Sequence, residues 1–136
     1  MSRKTFIVFG IVVLVLAAVI PWLVFRADGD ADRGREQVSA NLQQGQSLFE
    51  TNCGTCHTLY SAGTDGNFGP DLDELLAATG PATEEKTIKQ IEGRVMNAID
   101  EGVDSSTTPG RMPDGILSGE QAEEVAAFVA ATAGRG

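Results

Sequence analysis

From Phe6 to Phe25 the chain runs for 20 residues without a charged side chain, nearly all of them Val, Ile, Leu, Ala or Phe. At about 1.5 Å per residue, a helix of that length spans about 30 Å, the thickness of a bilayer's hydrocarbon core. In a chain of 136 residues the run leaves room for one further domain of ordinary size. Arg3 and Lys4 precede the run, whereas Asp28, Asp30 and Asp32 follow Arg26 behind it. Positive charge stays cytoplasmic, so residues 6–25 read as a single-pass anchor in the cytoplasmic membrane. Residues 1–5 are then inside, and the rest of the chain is on the extracytoplasmic, periplasmic side. Trp22 and Phe25 fall near the outer end, where interfacial aromatics gather. The alternative is a cleaved signal peptide, but its apolar core is only about 7–15 residues and no clear A-x-A site follows here. Pro21 is expected to end or kink the last turn.

Charge is distributed as unevenly as hydropathy. Residues 1–27 carry +3 and no acid, while the remaining 109 carry −12, for a net −9. So acidic a surface argues against nucleic acid as a partner and for partners with basic or neutral docking surfaces, bound less tightly as salt rises. Residues 26–40 are charged, contain glycine and have no apolar periodicity, which reads as a flexible acidic linker. Residues 41–136 then form one domain.

That domain reads as all-α. Helices are expected over about 42–52, 71–78, 84–101 and 118–132. Ile88, Ile91, Val95 and Ile99 make one apolar stripe in the third, and Gly102 is its stop. Ser118 and Gln121 have the spacing of a capping box for the last. Residues 103–117, rich in Gly, Pro, Ser and Thr, read as a loop. No run of alternating β-branched residues marks a sheet. With only Phe49, Tyr60, Phe68 and Phe128 as aromatics, the domain is short of material for a core, and something else is expected to fill its middle.

Cys53-Gly54-Thr55-Cys56-His57 supplies a candidate. C-x-x-C-H is the attachment motif for a c-type haem: the two thiols add to the vinyl groups as thioethers and the next imidazole reaches the iron. Three other readings compete. A thioredoxin-like pair belongs to a strand–helix unit that is not evident here. A zinc site lacks a fourth ligand, because there is no second C-x-x-C and no second His. A structural disulfide gives no reason for the adjacent His.

On these residues the domain resembles a class I cytochrome c, small and with one haem, over nearly all of residues 42–134. Gly45 and Phe49 before the motif, with Phe128 in the last helix, match that family's packing of its terminal helices. Gly69-Pro70-Asp71-Leu72 matches its G-P-x-L segment. The resemblance implies four or so helices around one covalent haem c, attached at Cys53 and Cys56 with His57 on the iron. It also implies that the Pro70 carbonyl accepts the Nδ1–H of His57 and orients it. His57 is the only His, so the second axial ligand must come from elsewhere; Met96 and Met112 are the candidates, since Met1 lies on the other side of the membrane. Met96 is in mid-helix at the flank of the stripe and reads as a gap-filling core residue. Met112, in Met112-Pro113 before the last helix, is where the family carries its axial methionine. Tyr60 and Phe68 are candidates for the haem pocket, with plain core as the alternative.

A His/Met pair raises the reduction potential and fills both axial positions, which suits one-electron transfer and leaves no open site for a small-molecule substrate. The resemblance implies an electron carrier, not an independent enzyme. Its donor would be a quinol-oxidising complex of a respiratory or photosynthetic membrane, and its acceptor a terminal oxidase or another redox protein. A fixed subunit of one complex is a second form of that reading. A haem-based sensor or ligand-binding protein, with a labile sixth ligand, is the alternative. The partner contacts of mitochondrial cytochrome c, made at a Lys-ringed haem edge, do not carry over to so acidic a surface.

Overall fold

The computed structural model describes residues 3–26, 38–104 and 110–136. Most of the expected linker lies outside the described residues, as do residues 105–109 of the expected loop. The chain divides into two units, Met1–Arg33 and Gly34–Gly136.

The first unit holds helix α1, Arg3–Arg26, with Pro21 inside it; the helix runs on past Pro21 instead of ending there. Its described side chains, at residues 5 and 7–22, are all exposed, including Leu14 and Phe9. Over the described residues, no helix is long and apolar enough to cross a membrane. The side chains of Phe6 and of residues 23–25, which complete the expected span, lie outside that set.

The second unit is built on helices α2 (Gln43–Asn52), α3 (Leu72–Ala77), α4 (Glu85–Glu101) and α5 (Glu120–Thr132). A 3₁₀ turn, Ala40–Leu42, leads into α2. At the centre lies α5, whose Ala122, Val125, Phe128, Val129 and Ala130 are all at most 1% exposed. Its run of alanines lets helices approach closely from two sides. Across one side passes α2: a Cβ on Gly45 would run into the carbonyl oxygen of Glu124 and lie 2.8 Å from the Cβ of Phe128. One turn on, the rings of Phe49 and Phe128 meet with centroids 6.0 Å apart at 58°, a tilted arrangement favourable for aromatic pairs. On the other side α4 packs with Ile91 and Ile99 buried, Ile88 and Val95 half-buried, and Met96 filling space beside the core. Gly102 ends α4 at φ 69°, as its position predicts.

Two departures from the sequence expectation have local causes. The capping box at Ser118 does not form: α5 begins one residue past Gly119, whose φ of 57° turns the chain, and no side chain caps the helix. Glu120 and Glu123 in the first turn face the positive end of the helix dipole instead. The domain is also not purely helical. Strands β1 (Thr58–Leu59) and β2 (Thr64–Asp65) pair antiparallel around a 3₁₀ turn, Tyr60–Ala62. Gly63 closes that turn at φ 64°. Thr64 Oγ1 donates to the His57 carbonyl at 3.0 Å and accepts from the Leu59 amide at 3.1 Å. Pairs of two residues are too short to show as alternation in a sequence.

Helix α3 is short and depends on its cap. The Asp71 carboxylate accepts from the amides of Asp73 at 2.8 Å and Glu74 at 3.3 Å. Asp71→Ala is expected to cost about 1 kcal/mol, read as a fall of about 4–8 °C in melting temperature for a domain of this size.

Candidate functional site

Helix α2 ends at Asn52, and the C-x-x-C-H motif is the turn that follows it. The amides of Cys53 and Gly54 close on the Phe49 carbonyl at 2.8 and 2.9 Å, and those of Cys56 and His57 share the Cys53 carbonyl at 3.0 and 2.9 Å. A second layer of backbone lies directly beneath. A Cβ on Gly66 would sit 2.6 Å from Cys56 C and Gly54 O, and 2.7 Å from His57 N. Thr58 Oγ1 donates to the Gly66 carbonyl at 3.0 Å, and the Gly69 amide to the Cys56 carbonyl at 2.7 Å. The motif is thereby fixed from both ends before the side chains of Cys53, Cys56 and His57 are considered.

Cys53 is buried and Cys56 half-buried, and neither is in a disulfide. Burial, with Cys56 as a lesser cause, pushes the Cys53 thiol up to about 11. Thiol exchange works through a thiolate stabilised well below its ordinary range, so this environment opposes the thioredoxin-like reading. Among the described residues no three or more His, Cys, Asp or Glu side chains gather to hold a metal ion.

His57 Nδ1 lies 2.9 Å from the Pro70 carbonyl oxygen. A carbonyl only accepts, so Nδ1 carries the hydrogen, and in the neutral ring the lone pair is on Nε2. The ring rests on Gly69, where a Cβ would come within 2.6 Å of Cε1, 2.9 Å of Nδ1 and 3.0 Å of Nε2. Phe68, next in line, packs against Gly110, where a Cβ would collide with its ring. Two residues further on, Met112 is held by its backbone: its amide donates to the Val103 carbonyl and its carbonyl accepts from the Val103 amide, both at 3.0 Å. Its side chain is half-buried against the core.

Residues 68–70 therefore join the two candidate axial ligands. Gly69 and Pro70 define the His57 ring, while Phe68 meets the segment that carries Met112. Tyr60 stands apart: its amide bonds to Asp73 at 2.8 Å and its Cβ lies beside Gly136. Both aromatics are half exposed, Tyr60 at 52% and Phe68 at 50%, so neither is plain core. The sequence reading passed over Gly110 and Asp73, whose partners are distant along the chain.

The residues present fit a haem c. The motif offers two thiols and an imidazole held with its lone pair on Nε2. Beside it, Phe68 and Val103 leave large apolar side chains exposed at 50% and 42%, surface that a bound macrocycle would cover.

None of the individually curated proteins compared matches the chain. The family model described as cytochrome c matches residues 42–133, from just before α2 to just past the end of α5. With that match over two thirds of its length and a C-x-x-C-H motif inside it, the chain belongs to the cytochrome c family, whose members bind haem c covalently and transfer electrons.

Proposed function

We propose that the chain is a membrane-anchored one-electron carrier whose single haem c is attached at Cys53 and Cys56 and ligated by His57 and Met112. The observation that carries the ligation is the continuity of residues 68–70 with both candidate ligands. The Pro70 carbonyl holds the imidazole in one tautomer and one orientation, which raises its basicity toward a metal. The Val103–Met112 pairing fixes the methionine's backbone, so the thioether is presented from a stiff support. Bound haem c supplies the Fe(II)/Fe(III) couple. The chain's own part is to keep both axial donors still, so that little reorganises when the charge changes. That stiffness favours a carrier over a sensor with a labile sixth ligand.

The anchor rests on α1, whose described side chains from Ile7 to Trp22 are apolar and exposed, as suits a helix surrounded by lipid. It would hold the haem domain on the outer face of the cytoplasmic membrane. The excess of acid outside residues 1–27 favours docking partners with basic or neutral surfaces. A quinol-oxidising complex as donor and a terminal oxidase or other redox protein as acceptor fit a carrier in that place.

The test is the absorption spectrum of the matured haem domain, ferric and ferrous, for wild type and Met112→Ala. The expected result is a weak far-red sulfur-to-ferric-iron band that the substitution removes, with rapid carbon monoxide binding gained by the reduced variant. A band that survives Met112→Ala would move the ligand to Met96. Rapid carbon monoxide binding by the reduced wild type would favour the sensor.

A further inference from the structure

Three residues beyond Pro70, the carboxylate of Asp73 makes a junction that neither the haem motif nor the helix packing accounts for. Asp73 Oδ2 accepts from the Tyr60 amide at 2.8 Å, and Asp73 Oδ1 accepts from the Gly134 amide at 2.7 Å. The first bond repeats the spacing of the His57–Pro70 contact, since both join residues 13 apart. The segment 57–60 is thus tied to the segment 70–73 at both ends and in one register. The second bond brings in the chain just past α5. There Gly134, at φ 82°, lies so close to Ala77 that a Cβ would sit 2.7 Å from the Ala77 Cβ. Ser61 and Thr132, both fully buried, lie on the same seam, with Ser61 Oγ donating to the Thr132 carbonyl at 3.4 Å.

We infer that Asp73 is a positioning residue for His57: its carboxylate locks the 57–60 and 70–73 segments in register and makes the hold on the imidazole depend on the segment that follows α5. The inference rests on His57 being an axial ligand. The physical argument is one of lever and clamp. The Pro70 carbonyl is a single acceptor at the end of a short loop: the Gly69 amide on the Cys56 carbonyl pins that loop on one side of it, and Asp73 pins it on the other. An ionised carboxylate accepting two amides is about twice as strong a tie as a neutral acceptor.

Two variants of the full-length haem protein test this. Asp73→Asn keeps the shape and one acceptor oxygen. Deletion of residues 134–136 keeps Asp73 and removes the Gly134 donor. In both, exchange of the His57 Nδ1–H with solvent, read by NMR, should speed up about tenfold, as expected for losing a bond to a charged group. The midpoint potential should rise in both, because a more weakly held Nδ1–H makes a less basic ligand that favours ferric iron less. Direction separates this from simple electrostatics. Asp73→Asn removes a negative charge, but the deletion removes the positive charge of Arg135, which alone would lower the potential. Wild-type exchange rates in both variants, or a potential that follows charge alone, would overturn the inference. If the wild type itself lacks a slowly exchanging Nδ1–H on an iron-bound imidazole, the fault lies in the His57 ligation. If Asp73→Asn fails to fold, the deletion decides.

Discussion

Gly45→Ala should melt about 10–20 °C below wild type, although alanine is the better helix former. The added methyl would meet the carbonyl oxygen of Glu124 and lie 2.8 Å from the Phe128 Cβ. Neither is the loose end of a flexible side chain, so α2 must ride up off α5 and open the Phe49–Phe128 contact. Overpacking of this kind costs about 1–3 kcal/mol and at times more, and here it acts at the helix crossing that organises the core. The propensity gained is at most about 1 kcal/mol. Gly93 gives the matching control. It lies in α4 with nothing within 4 Å of a built Cβ, so Gly93→Ala should stabilise by about 0.5–1 kcal/mol. Circular dichroism melts of the two ferric haem proteins check both, and a Gly45→Ala protein as stable as Gly93→Ala would mean that α2 and α5 cross elsewhere.

Gly69→Ala is expected to strike the site and spare most of the fold. Its methyl would fall within 3.0 Å of three atoms of the His57 ring. The ring is the more mobile partner, so it rotates away and lengthens the 2.9 Å contact with the Pro70 carbonyl. The imidazole then loses the bond that fixes its tautomer, a kind of outer contact whose loss typically weakens metal binding about 10–100-fold. The absorption spectrum should show a substantial high-spin fraction in the ferric protein, and the reduced protein should bind carbon monoxide faster than wild type. Far-ultraviolet circular dichroism should stay close to wild type. An unchanged low-spin spectrum would show that the ring does not rest on Gly69.

How much of this could be read from the sequence depends on how far each interaction reaches along the chain. C-x-x-C-H is contiguous, and its meaning survives without a structure. Gly69-Pro70 alone reads as an ordinary turn, and only its place after the motif, matching the G-P-x-L segment of the family it resembles, singled it out. The stripe from Ile88 to Ile99 and the stop at Gly102 gave α4 to within a residue of its observed Glu85–Glu101. Where the reading failed, a local rule was met on paper and overridden in space. Ser118 and Gln121 have capping-box spacing, but the positive φ of Gly119 puts the helix start beyond the reach of Ser118. The hairpin at 58–65 owes its pairing to hydrogen bonds of the Thr64 hydroxyl, which hydropathy does not register. Asp73 reads as one more acid on a short helix; its partners stand 13 and 61 residues away, and only the fold brings them together.

The pairing of Val103 with Met112 has a consequence for how this protein can be altered. Because each of the two residues donates to the other, the chain between them is a closed excursion whose ends are fixed independently of its length. Arg111 and Asp104, bridged at 3.1 Å, close it once more just inside the pairing. Doubling the length of a flexible loop costs only about 0.6 kcal/mol. An insertion between Asp104 and Gly110 is thus expected to leave the backbone of the methionine where the pairing holds it.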